Sequence, residues 1–297
     1  MNKVYPKGVL PAPVSVFNGE RAFDYESAAR HFEYLLEEGV HGLFLTGTTA
    51  EGLYLSADER LRIIETARKL CGAEIMLFTV LLRASTPEVI ADLRTLDPSL
   101  LDGIAAVSPL YLRVDGEEIE RHYREIADAS PLPLMLYNIP QNTHNPIPIE
   151  TVIRLAGHPN VVGIKDSSGN FMSFVHGMLS VSDHFAWIQG EDRLDAPSLL
   201  LGAPGIVTGL GNVDIRPYIK MYDAVKAGDV ELVRECQRSI NALAEIVAAG
   251  KGKSIQAIKT AVALRGRGSA VMRMSAMDLN SGETAALRAV MTRLGYL

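Results

Sequence analysis

The sequence predicts a (β/α)8 barrel of the TIM type with additional C-terminal helices, and three observations lead there. Eight short apolar, β-rich runs recur at intervals of about 25–35 residues, the repeat of a βα unit. The runs are continuously apolar rather than alternating, as parallel strands covered on both faces require. Helix-start signals fall between the runs. A chain of 297 residues could hold two domains, yet barrels commonly use this length as one. The expected organisation is a single domain over 1–297, with the barrel over 1–225 and a helical extension over 226–297 packed on it.

The strands are expected at 9–14, 42–46, 75–79, 103–107, 134–137, 161–165, 185–189 and 205–209. Between the second and third, Ser56 and Glu59 form a capping box: the serine satisfies free N–H groups of the first turn and the glutamate reaches back. Thr86 before Pro87 reads as a capping residue followed by proline at the first helical position. Asp115, followed by Glu117 and Glu118, opens another helix with acidic groups at the positive end of its dipole. After the eighth strand the chain reads as further helices, including 228–249 and 281–294, with no linker or break in composition.

Apolar residues make up 47% of the chain and charged residues 22%, which suits a large folded core and excludes disorder. Every apolar run is interrupted before the ~20 residues a membrane span needs. Met1 to Pro6 leads directly toward a strand without an apolar leader, so a cytoplasmic protein is expected. A net charge of −6 with no basic stripe argues against nucleic acid. Cys71 and Cys236 lie far apart in helical patterns and read as buried thiols. The histidines show no metal-ligand spacing, and His41 and His122 read as structural. The segment from Gly250 to Ser254 resembles the end of a phosphate loop, but Val247 stands where its first glycine belongs and no strand precedes it. Gly209-Leu210-Gly211 lacks the third glycine of a dinucleotide fingerprint.

Barrel enzymes place their chemistry at the C-terminal ends of the strands. There the sixth run ends at Lys165. Alone, a strand-end lysine is more often solvated, but a desolvated one can lose its proton near neutral pH and form a Schiff base with a carbonyl. The fifth run ends at Tyr137, next to Lys165 across the barrel mouth, where a phenol can relay protons. The second ends in Thr46-Gly47-Thr48-Thr49-Ala50-Glu51, a turn whose N–H and O–H groups suit a carboxylate. Asp166, next to the lysine on a strand, should point to the opposite face.

Taken together, GTTAE, YNIP and GIKDSSG in this order and spacing resemble the dihydrodipicolinate synthase/N-acetylneuraminate lyase family, over essentially the whole chain. The resemblance implies a barrel that assembles as a homotetramer, a dimer of dimers, and binds pyruvate as a covalent Schiff base without any other cofactor. It implies Lys165 as the Schiff-base lysine and Tyr137 as the proton relay. By the same resemblance Thr48 and Thr49, with Gly47, are expected to hold the pyruvate carboxylate and pass protons. It further implies that Tyr111 reaches into the adjacent subunit's site and that Val207 lies on the strand whose carbonyl faces the lysine.

Two departures bear on the second substrate. The synthases carry an arginine five residues after the tyrosine, where this chain has Asn142, and an amide cannot replace a bidentate guanidinium. The sialic-acid lyases carry an acidic pair after the seventh strand's glycine; here Gly190 and Glu191 are followed by Asp192 and then Arg193. Asn142, His144, Gly190, Glu191, Asp192 and Arg193 are therefore expected to form the second-substrate wall. The reading is a lyase, a class I aldolase taking pyruvate and an aldehyde from, or joining them into, a 2-keto-3-deoxy sugar acid. Dihydrodipicolinate synthesis, a keto-deoxy acid dehydratase and a non-catalytic oxo-acid-binding barrel are the alternatives.

Overall fold

The computed structural model describes residues 4–297, so Met1 to Lys3 of the stretch inspected for a leader lie outside the described residues. Eight parallel strands curl into a cylinder in the order β1-β8-β7-β6-β5-β4-β3-β2. They are β1 (Gly8–Pro11), β2 (Gly42–Leu45), β3 (Met76–Leu81), β4 (Gly103–Val107), β5 (Leu134–Asn138), β6 (Val161–Asp166), β7 (Ala186–Gln189) and β8 (Gly205–Thr208). All eight expected runs are strands. The first is shorter than expected because the chain leaves the sheet after Pro11, although the Ala12 N–H still donates to the Thr208 carbonyl.

Helices wrap the cylinder: α1 (Tyr25–Glu37), α2 (Ala57–Cys71), α3 (Thr86–Leu93), α4 (Gly116–Ala129), the single turn α5 (Pro140–Thr143), α6 (Ile149–Ala156), α7 (Phe171–Leu179), α8 (Asp195–Leu200) and α9 (Arg216–Ala227). Beyond them lie α10 (Val230–Ala249), α11 (Ser254–Leu264) and α12 (Ser281–Arg293), with α10 packed against α9, α11 and α12. The residues that resemble a phosphate loop are the tight turn into α11. Two cores result. One fills the cylinder with side chains such as Phe44, Phe78, Met135 and Ile188; the larger lies between strands and helices.

The Ser56–Glu59 capping box forms as expected, and a helix opens after Asp115 as expected, where Asp115 further forms a capping box with Glu118. The expected cap at Thr86 moves back by one residue: Ser85 caps α3 in a box with Glu88, and Thr86 is the first helical residue. The Thr86 hydroxyl is instead hydrogen-bonded to His122 Nδ1 at 2.8 Å. His122 Nε2–H donates to the Val107 carbonyl, so the ring is held neutral between helix and strand, and burial pushes its pKa down to about 4. His31 is likewise buried, paired with Asn212 Oδ1 at 2.8 Å, and pushed down to about 4.

Two irregularities shape the cylinder. Along β5 and β6, Leu134 faces Val161 but Met135 faces Gly163, so Val162 is an extra residue in β6. Bulges of this kind re-aim the side chains beyond them. Val162 faces the interior, Ile164 returns to the helix side, and Lys165 then comes level with Tyr137. The other irregularity is the seam between β1 and β2. There the His41 N–H donates to the Val9 carbonyl and the Val9 N–H donates to His41 Nδ1 at 3.2 Å. Burial holds the His41 imidazole below its ordinary pKa, which keeps Nδ1 an acceptor.

Candidate active site

Lys165 sits one residue before the end of β6 and pairs in register with Tyr137 of β5. Laterally paired residues of parallel strands project to the same face, so both side chains enter the cylinder's C-terminal mouth. Lys165 is 6% exposed and Tyr137 2%. The amine lies 4.1 Å from the centroid of the Tyr137 ring and 4.7 Å from that of Phe44. No described carboxylate forms an ion pair with it. Asp166 points away, as expected: its Oδ1 accepts from Asn138 and from the Ser168 N–H, and it lines a groove on the outer wall.

The threonine turn comes directly after β2. Thr46 adopts a left-handed conformation (φ 55°) and ties its hydroxyl to Thr79 and the Val80 carbonyl. Gly47 lies buried beneath the turn and its carbonyl accepts from Ala50 and Gly52, which shapes the turn. Gly52 can be nothing larger, since a β-carbon there would come within 1.8 Å of the Thr46 carbonyl oxygen. This brings Thr48 Oγ1 to 3.4 Å from the Tyr137 hydroxyl. Lysine, phenol and hydroxyl thus converge from β6, β5 and the β2 loop.

They open into a cavity of about 280 Å³ lined by Thr48, Thr49, Tyr137, Lys165 and Val207. The same cavity reaches Gln141, Ser167, Gly190, Glu191, Asp192 and Arg193. A β-carbon at Gly190 would lie 2.2 Å from Ser167 Oγ and 3.0 Å from Lys165 Cε, so a larger residue there would displace the serine hydroxyl and crowd the lysine. Asp192 reaches the cavity, but its Oδ1 accepts from both the Tyr218 and Thr208 hydroxyls, which anchors the carboxylate against the barrel. Burial pushes that carboxyl above its ordinary range, against the opposing pull of the two hydroxyls and of Lys165. Behind it Asp195 is raised further, by burial and by Asp192 and Glu191. Arg193 is exposed and lies 3.4 Å from Glu191.

The expected second-substrate wall is therefore divided. Asn142 lines a mostly apolar cavity of about 280 Å³ with Leu53, Tyr54, Leu82, Val107 and Leu110, which adjoins the lysine cavity through Thr48, Ile139 and Ile255. His144 is exposed in a left-handed conformation (φ 61°) and lines neither cavity. Tyr111 is 88% exposed, with φ 75°, and lines a groove with Leu112 and Val114 away from Lys165. Ser167, Gln141 and a rim from the C-terminal helices, Ile255 and Ile258 among them, went unassigned from the sequence. Only Ser167 carried a signal, in its position two residues after the lysine. Among the described residues no group of His, Cys, Asp or Glu could hold a metal ion, and no helix is long and apolar enough to cross a membrane.

Comparison with known proteins points the same way. A model of the dihydrodipicolinate synthetase family matches residues 5–294. An uncharacterized DapA-like lyase from Halobacterium salinarum is 31% identical over 291 residues, covering 98% of this chain and 94% of that protein. A 4-hydroxy-tetrahydrodipicolinate synthase from Pelobacter propionicus is 31% identical over 291 residues, 98% of this chain and 99% of that one. A prophage protein of E. coli K12, of the dihydrodipicolinic acid synthase family and solved in complex with pyruvate, superposes with a TM-score of 0.91 at 25% identity, over 98% of this chain and 99% of its own. The chain therefore belongs to the dihydrodipicolinate synthetase family and is a lyase, a class I aldolase of a family that works through a pyruvate Schiff base on a lysine with no external cofactor.

Proposed function

We propose that this lyase cleaves or forms a 2-keto-3-deoxy sugar acid, with Lys165 as the Schiff-base amine. The observation that carries the reading is the convergence of Lys165, Tyr137 and Thr48 on one cavity, with the phenol and threonine oxygens 3.4 Å apart. In the synthetic direction the amine adds to the keto carbon of pyruvate and water leaves, giving an iminium. Loss of a C3 proton gives an enamine, which adds to the aldehyde carbon and forms the new bond. Water then releases the product and restores the amine. Tyr137 and Thr48 carry the protons for addition and dehydration. Thr48 and Thr49 hold the pyruvate carboxylate beside the glycine turn, and Val207 of β8 lines the same cavity.

Gln141, Ser167, Glu191, Asp192 and Arg193 give the rest of the cavity hydroxyl-reading groups, which suits a polyhydroxy tail. Asp192 acts there through its second oxygen, since the first is engaged. Tyr111 is proposed to complete the site of a neighbouring copy in a homotetramer, consistent with its exposure in one chain. A second reading, condensation of pyruvate with aspartate semialdehyde, is favoured by the names of relatives such as the Pelobacter propionicus synthase. It is disfavoured by Asn142, which offers no cation where the synthases of the family carry one.

Borohydride reduction in the presence of pyruvate, read by intact mass, tests the chemistry. A single reduced pyruvate adduct that disappears in Lys165→Ala is expected; absence of the adduct, or its survival in the variant, rejects it. A retro-aldol screen over keto-deoxy sugar acids, run beside the aspartate semialdehyde coupling, then decides the substrate.

A further inference from the structure

Behind the threonine turn lies a buried ion pair that the proposed chemistry does not use. Glu51, the last residue of the turn, is 3% exposed and left-handed (φ 54°), a conformation a non-glycine residue keeps only when its surroundings impose it. Its Oε1 accepts from Lys259 Nζ at 2.6 Å, and Oε2 accepts from the Arg273 N–H at 2.9 Å. Lys259, on α11, is fully buried; it also donates to the Val271 carbonyl at 2.6 Å and lies over the Phe17 ring. The Glu51 N–H donates to the Thr48 carbonyl and the Ser15 hydroxyl to the Ala50 carbonyl. The turn is thus gripped from behind by the C-terminal extension while its two threonines face the cavity.

A buried pair contributes little net stability beside an apolar pair of the same shape, and its best-attested gain is fixed geometry. Burial pulls the pKa of the Lys259 ammonium down, and Glu51 is first among the groups that hold it up. We infer that Glu51 and Lys259 are positioning residues: together they set the placement of Thr48 and Thr49, and hence the affinity of the site for the oxo-acid carboxylate. This inference rests on the proposed function, because it takes the two threonines as the carboxylate's ligands.

The test compares Lys259→Met, which leaves the Glu51 carboxylate buried alone, with the double variant Glu51→Gln/Lys259→Met, which leaves no buried charge. For each, the melting temperature, the pyruvate concentration for half-maximal borohydride trapping and the amide exchange of Ala50, Glu51 and Gly52 are measured. The single variant is expected to melt lower. The double variant is expected to regain most of the melting temperature while its half-saturating pyruvate stays raised by about tenfold to a hundredfold, as for a misplaced binding group. Full adduct is expected in it at saturating pyruvate, with faster exchange at the three amides. Wild-type half-saturation in the double variant overturns the inference. Should the wild-type protein itself form no adduct, the proposed function fails, and unchanged exchange at the three amides overturns the positioning role independently.

Discussion

At the scale of single residues, the lysine and the phenol were legible because each ends an apolar run, and adjacent strands of a parallel sheet must bring such ends together. Residues in the loops beyond the strand ends were less legible. Asn142 stands five residues past Tyr137, and that count does not show that a one-turn helix delivers it to a cavity lined by Leu53, Tyr54 and Leu110. Lys259 left no trace at all, since its partner Glu51 is 208 residues away and helical patterning makes a buried lysine look like a misplaced one. The relay role ascribed to Tyr137 has a separable consequence. Tyr137→Phe keeps the ring against Phe44 and beneath Lys165 but removes the oxygen near Thr48. Turnover is expected to fall by roughly 10²–10⁴-fold, with folding intact by circular dichroism and the pyruvate adduct still trapped at saturation. An unchanged kcat would remove the phenol from the mechanism.

Elements carry their own rules. The capping box at Ser56 and the acidic helix start at Asp115 were readable because a helix start is local chemistry, confined to four residues; the slip from Thr86 to Ser85 arose because two adjacent hydroxyl residues both precede the acidic Glu88 and either could cap. The clamp between helices was not readable. Asp92 of α3 bonds Arg60 of α2 at 2.8 Å and Arg83 of the preceding loop at 2.8 Å, and the Arg60 side chain is 1% exposed. Two further Arg60 nitrogens, Nε and Nη2, have no hydrogen-bond partner, so Asp92 is what compensates the buried guanidinium. Asp92→Ala is expected to cost about 3–5 kcal/mol of unfolding free energy, measured by urea titration with the m-value unchanged. A loss below about 1 kcal/mol would show that water reaches Arg60.

For the whole molecule, the eightfold repeat made the cylinder legible from the spacing of apolar runs alone, while its inward and outward faces were not. The extra Val162 shifts the phase of β6, and no pattern in Val161-Val162-Gly163-Ile164-Lys165 shows where the shift falls. Acid response also belongs to this scale. His31 and His122 are held near 4 in the fold, below the 6.5 they have when unfolded. The neutral rings therefore contribute their full stability above pH 6.5 and lose it as the pH falls from 6.5 toward 4. At pH 5 the loss relative to pH 8 is about 2 kcal/mol for each ring. Thermal midpoints should drop over this window, and His122→Gln should flatten the drop; a midpoint that is level from pH 8 to pH 5 would contradict the assignment.

The pairing of Gly8 with Gly205 joins the first strand to the last. On a ribosome, β1 emerges early and waits for most of the chain to be synthesised before its mate appears. Until then one flank of β1 has only the thin seam with β2, and the other carries bare amides and carbonyls. Nascent chains halted before β8 should for that reason depend on chaperones far more than full-length chains do, so the hazard to this fold is greatest during its own birth.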